Sequence, residues 1–120
     1  MVERSLESLT QELREFAVER DWEQFHSPKN LAMALTVEAA ELMEHFQWMQ
    51  ETESISPEPA KCEQIRDEIG DVMIYLVRLA VRLGIDPLDA AIEKLTKNRK
   101  KYPVEKVRGK SKKYTEYDHE

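Results

Sequence analysis

Residues 58–84 read EPAKCEQIRDEIGDVMIYLVRLAVRLG, and this stretch decides the fold. Ser56-Pro57 ahead of it reads as a cap followed by Pro, and Pro59 still falls within the first turn, where a missing N–H is tolerated. A helix is therefore expected from about Glu58 to Leu83, with Gly84 as the residue that ends it. Its middle carries the acids Glu68 and Asp71, spaced i, i+3, and then Val72-Met73-Ile74-Tyr75-Leu76-Val77, which is apolar nearly all round. A helix apolar on more than one face must be covered on more than one side. A single 120-residue layer of helices supplies too little protein for that, so oligomerisation is expected.

Working outward, a second acidic pair, Glu38 and Glu41, repeats the i, i+3 spacing inside another apolar-periodic segment. Ser27-Pro28 looks like its cap and first residue, and Leu31, Leu35, Ala39, Leu42, Met43 and Phe46 sustain a helix through about Met49. Before it, Leu6, Leu9, Leu13, Phe16 and Ala17 mark an amphipathic helix over residues 4–20, and residues 20–26 form a connection with exposed aromatics. Glu51 to Pro59 reads as the longest internal loop. Asp86-Pro87 starts a last helix with Leu88, Ala91, Ile92 and Leu95 as its stripe, ending before Pro103. The expectation is an all-α, four-helix-bundle-like fold: a domain over 1–103 and a basic, extended tail over 104–120.

Spacing of three puts each acidic pair on one helix face. Four carboxylates gathered from two helices repel one another, so the fold must supply a cation, and a hard, oxygen-seeking ion such as Mg²⁺ suits an all-carboxylate set. Most acid pairs at this spacing are only a solvated face. Here Ala39, Ala40 and Leu42 flank one pair and Ile69, Gly70 and Val72 the other, which argues partial burial. A di-iron centre would need two Glu-x-x-His motifs on the remaining helices, whereas the single such spacing, Glu23 to His26, falls in the connection. Trp48 stands seven residues beyond Glu41 and Tyr75 one turn past Asp71, so both are expected to overhang the acids. Aromatics at helical spacing commonly serve as packing, but beside a metal and phosphate site they can stack on a base. His45, one turn past Glu41, reads as a surface or interface residue.

Charge is laid out unevenly. Net charge is −6, yet residues 94–113 hold ten of the eighteen Lys and Arg against one acid, Glu105. The acidic remainder argues against a general nucleic-acid surface, and no nucleic-acid module is recognisable. A small polyanion, held between carboxylate-bound metal and basic residues, fits both halves. The start of the chain lacks the pattern of a signal peptide, no stretch reaches the ~20 apolar residues of a membrane span, and one cysteine, Cys62, leaves no intrachain disulfide; a cytoplasmic protein without a membrane partner is expected.

Glu38-x-x-Glu41, twenty-six intervening residues, then Glu68-x-x-Asp71 resembles the signature of the MazG-like all-α nucleoside triphosphate pyrophosphohydrolases. Residues 20–26 (RDWEQFH), 46–48 (FQW), 71–77, 98–103 (NRKKYP) and 111–116 (SKKYTE) are similar to the dCTP pyrophosphatase branch. The resemblance implies a Mg²⁺-dependent homotetramer that hydrolyses a deoxynucleoside triphosphate to monophosphate and pyrophosphate. It implies Glu38, Glu41, Glu68 and Asp71 as metal ligands; one carboxylate must then accept the proton of the attacking water, and Glu38 or Glu41 is the expected catalytic residue. It implies Trp22, His26, Trp48 and Tyr75 around base and sugar, and Lys94, Asn98 and Arg99 near the phosphates. One departure is Leu13, where members of this branch offer a His from the first helix. A broader pyrimidine or modified-nucleotide hydrolase, and a non-catalytic helical nucleotide-binding or interaction module, are the alternatives.

Overall fold

A computed structural model describes residues 4–110, and the elements assigned among them are all helical. The helices are α1 (Leu6–Glu19), a 3₁₀ turn (Glu23–Phe25), α2 (Pro28–Glu44), α3 (Glu51–Ile55), α4 (Pro59–Arg82), α5 (Pro87–Lys101) and α6 (Val104–Val107). The chain divides between Ile85 and Asp86 into two compact units, each described by itself.

Side-chain chemistry sets the helix starts. Ser5 accepts from the Ser8 N–H, Ser27 from the Asn30 N–H, and Asp86 from the Leu88 and Asp89 N–H groups, which satisfies donors that the first turn leaves open. Pro28 and Pro87 then sit in the first turn, where a fixed φ helps and no N–H is missed. Two helices end in the same six-residue motif. Trp22 N–H bonds to Ala17 O at 2.9 Å and Asp21 N–H to Val18 O at 3.0 Å; Ile85 N–H bonds to Ala80 O at 2.8 Å and Gly84 N–H to Val81 O at 3.0 Å. The motif needs a left-handed residue, supplied by Gly84 (φ 69°) as expected and by Asp21 (φ 54°) at some cost.

Three boundaries differ from expectation. The second helix stops at Glu44 rather than Met49, because Phe46 and Met49 N–H groups bond three residues back, to Met43 and Phe46 carbonyls, and tighten the chain into turns. Residues 51–55 are helical rather than loop, and Ser56 ends that helix instead of capping the next. The long helix begins at Glu58-Pro59, as expected, but without a side-chain cap. Residues 104–107 form a helical turn rather than an extended tail, after Pro103 at its N-cap. Residues 111–116, part of the resemblance, lie outside the described residues.

Within the first unit α2 and α1 both pack on α4. The buried apolar set is small: Ala17 from α1, Leu31 from α2, and Ile65, Val77 and Ala80 from α4. Met33, Val37, Ile69, Met73 and Leu76 stay exposed on α2 and α4. No helix among the described residues is long and apolar enough to cross a membrane.

Candidate active site

The α2–α4 pairing brings carboxylates from both helices together. Glu38, Glu41 and Glu68 each offer an oxygen, and these atoms all lie within 4.8 Å of one another. Glu38 and Glu68 are half-buried, and the Oε2 atom of each is buried without a hydrogen-bond partner. Desolvation first, then the close approach of the Glu68 and Glu41 carboxyls, pushes the Glu38 carboxyl from its ordinary value up to about 7. Two orphaned carboxylate oxygens in one acidic trio fit a divalent, oxygen-ligated cation, which would satisfy both and cancel the repulsion. Asp71, the fourth expected ligand, does not join this trio: it is exposed, one turn past Glu68, and its side chain is a carbon shorter than the three Glu. His45 ends α2 as its C-cap.

The aromatic candidates separate. Trp22 and His26 flank the 3₁₀ turn, their rings edge-on with centroids 6.3 Å apart, and the Phe16 ring meets Trp22 edge-on at 5.6 Å. Burial first, and then the positive charges of Arg78 and Arg82, holds the His26 imidazole below its ordinary value, so the neutral ring is favoured near neutral pH. Tyr75 is half-buried on α4, one turn beyond Asp71. Trp48 is not carried along the Glu41 face as expected, since α2 ends at Glu44; it sits in the following turn, 88% exposed.

On α5, in the second unit, Lys94 and Asn98 share a face at i, i+4. Lys101 extends that face, and it, with Lys97, pushes the Lys94 ammonium below its ordinary value by like-charge repulsion. Arg99, five residues from Lys94, is turned about 140° away around the helix, so these three do not present one face. The i+7 spacing of Lys101 from Lys94 is the signal in the sequence that puts both on one stripe of the helix. Arg78, which follows the apolar run 72–77 and is not among the residues singled out above, is 4% exposed and 3.7 Å from Glu23.

An all-helical unit with carboxylates converging from two packed helices defines the class, and comparison with known proteins gives the family. The profile of the MazG-like family matches residues 33–117. The chain is 46% identical to dCTP pyrophosphatase 1 of Mus musculus over 95% of its length and 68% of that protein's. With dCTP pyrophosphatase 1 of Homo sapiens the identity is 44%, covering 98% of this chain and 70% of the other. A crystal structure of a pyrophosphatase from Archaeoglobus fulgidus superposes with a TM-score of 0.78 at 38% identity, covering 86% of this chain and 96% of that one. The chain belongs to the MazG-like family.

Proposed function

We propose that this chain hydrolyses dCTP, or a closely related deoxynucleoside triphosphate, to the monophosphate and pyrophosphate with Mg²⁺ as cofactor. At the level of class it is a nucleoside triphosphate pyrophosphohydrolase, as its likeness to the dCTP pyrophosphatases and to the A. fulgidus pyrophosphatase supports. The observation that carries the finer reading is the convergence of Glu38, Glu41 and Glu68 in a chain this similar to enzymes named for dCTP.

In this reading Glu38, Glu41 and Glu68 hold the metal, with Asp71 completing the set by a side-chain movement. A Mg²⁺ ion held by these carboxylates would supply charge neutralisation on the triphosphate and on the leaving pyrophosphate. Glu38 or Glu41 takes the proton of the attacking water. Trp22, His26 and Tyr75 enclose base and sugar, Trp48 reaches them from its exposed turn, Lys94 and Arg99 balance phosphate charge, and Asn98 is a neutral polar partner of the phosphates. The hydrolase domain is proposed to run over 1–103, the working assembly to be a homotetramer, and the location to be the cytoplasm. No nucleic-acid or membrane partner is proposed.

The test is pyrophosphate release over a panel of deoxynucleoside triphosphates with and without Mg²⁺. Metal-dependent turnover, highest in kcat/KM for dCTP, is expected, and Glu41→Gln is expected to lower kcat by about 10²–10³-fold while the helical signal is retained. No turnover of any pyrimidine deoxynucleotide would sink the reading. Leu13, in place of the branch's His, favours the second reading, a broader pyrimidine hydrolase. Equal kcat/KM for dCTP, dUTP and dTTP would establish that one instead.

A further inference from the structure

Arg78 is the buried charged side chain among the described residues, and its guanidinium is poorly compensated. Its Nη2 lies 3.7 Å from Glu23 Oε1, a distance of ion pairing rather than hydrogen bonding, and Nε and Nη2 have no hydrogen-bond partner. Arg82 and Arg14 add like charge around it. Burying a cation in such surroundings opposes folding, and a buried ion pair replaced by apolar side chains of similar volume is often no less stable. Core stability alone therefore does not explain an Arg at this position.

Its partner does. Glu23 opens the three-residue turn that Trp22 and His26 flank. The polar bonds that hold this turn run elsewhere: Trp22 N–H to Ala17 O of α1, His26 N–H to Glu23 O within the turn, and the Asn30 side-chain amide of α2 to Phe25 O at 3.0 Å. Among the described residues, the Glu23–Arg78 ion pair ties the turn to α4, the helix of Glu68, Asp71 and Tyr75. Arg78 also follows Asp71 by seven residues and Tyr75 by three, so all three fall on one stripe of α4.

We propose that Arg78 is a positioning residue for nucleotide selection: through Glu23 it holds the Trp22–His26 turn against the helix that carries the acidic site. It stands outside the acidic trio and pairs with Glu23, so its effect falls on which base is accepted rather than on the hydrolytic step. The proposal rests on the reading that Trp22 and His26 enclose the base.

The variants are Arg78→Met, Glu23→Gln and Arg78→Met with Glu23→Leu, with Arg78→Lys as the conservative control. Each is assayed for KM and kcat on dCTP, dUTP and dTTP, and for amide hydrogen exchange over residues 22–26 without ligand. Arg78→Met is expected to melt no lower than the parent, because Met fills much of the same volume. Its KM for the preferred nucleotide should rise about tenfold, the worth of one charge-assisted contact, with kcat nearly constant and discrimination between bases reduced. Glu23→Gln should behave alike, the double variant no worse than either single one, and Arg78→Lys should recover part of the loss. Exchange over 22–26 should quicken while α4 stays protected. A folded Arg78→Met with unchanged KM, base preference and exchange overturns the proposal, as does a fall in kcat at constant KM. If the parent turns over no pyrimidine nucleotide, the functional reading fails by itself, and the exchange over 22–26 alone decides whether Arg78 positions the turn.

Discussion

Glu38 shows what one residue carries when three acids share a site. Its carboxyl is raised from 4.5 to about 7 by desolvation and by Glu68 and Glu41, so the folded chain without metal holds a proton that the unfolded chain releases at lower pH. The sign follows: the stabilisation is complete below about 4.5 and is lost as pH rises through about 7. Metal-free protein is thus expected to lose on the order of 1–2 kcal/mol over that window, allowing for solvent screening. Glu38→Gln should flatten the slope, read from urea melts at several pH values in chelator. Sequence spacing was enough to pair Glu38 with Glu41 and to foresee their meeting with Glu68, because helical periodicity fixes which residues share a face. It could not foresee that Asp71 stays apart, which depends on side-chain length and exposure, nor that Arg78 is buried, which depends on what packs over it.

At the scale of the elements, starts were more legible than ends. Ser27-Pro28 and Asp86-Pro87 announce themselves because a side-chain acceptor and a Pro do local work that no neighbour can replace. Ser56-Pro57 has the same letters, yet there the Ser closes a short helix that polarity had disguised as loop. The end of α2 has no Gly or Pro to mark it; its last turn instead holds Glu41 and Glu44 with no basic residue, at the negative end of the helix dipole. That unfavourable placement helps explain why the helix yields to tighter turns before Met49. The end of α1 is a different case, since Asp21 adopts a left-handed conformation that costs an L-residue with a side chain. Asp21→Gly should raise stability by about 0.5–1 kcal/mol, measured as a shift of the denaturation midpoint at constant slope. Gly84→Ala, at the equivalent place after α4, should lower it by a similar amount, since open space around Gly84 leaves φ as the sole difficulty.

For the molecule as a whole, the apolar run of α4 is covered on too few sides. Val77 and Ala80 are buried while Ile69, Met73 and Leu76 are exposed, so the all-round hydrophobicity seen in the sequence finds its cover only in part within the described chain. Further copies are the proposed cover, and association then contributes to folding by mass action. The melting temperature is expected to climb by a few degrees for each tenfold increase in protein concentration, an effect about the size of 1 kcal/mol at this length. Differential scanning calorimetry over two decades of concentration, beside light scattering, checks it; a concentration-independent midpoint would show that the monomer stands alone. In such an assembly the small buried set among the described residues would bear on catalysis as well as on folding. Where so little of the apolar surface is hidden inside one chain, dilution acts as a denaturant does, and specific activity should fall in the most dilute assays even though no residue of the site has changed.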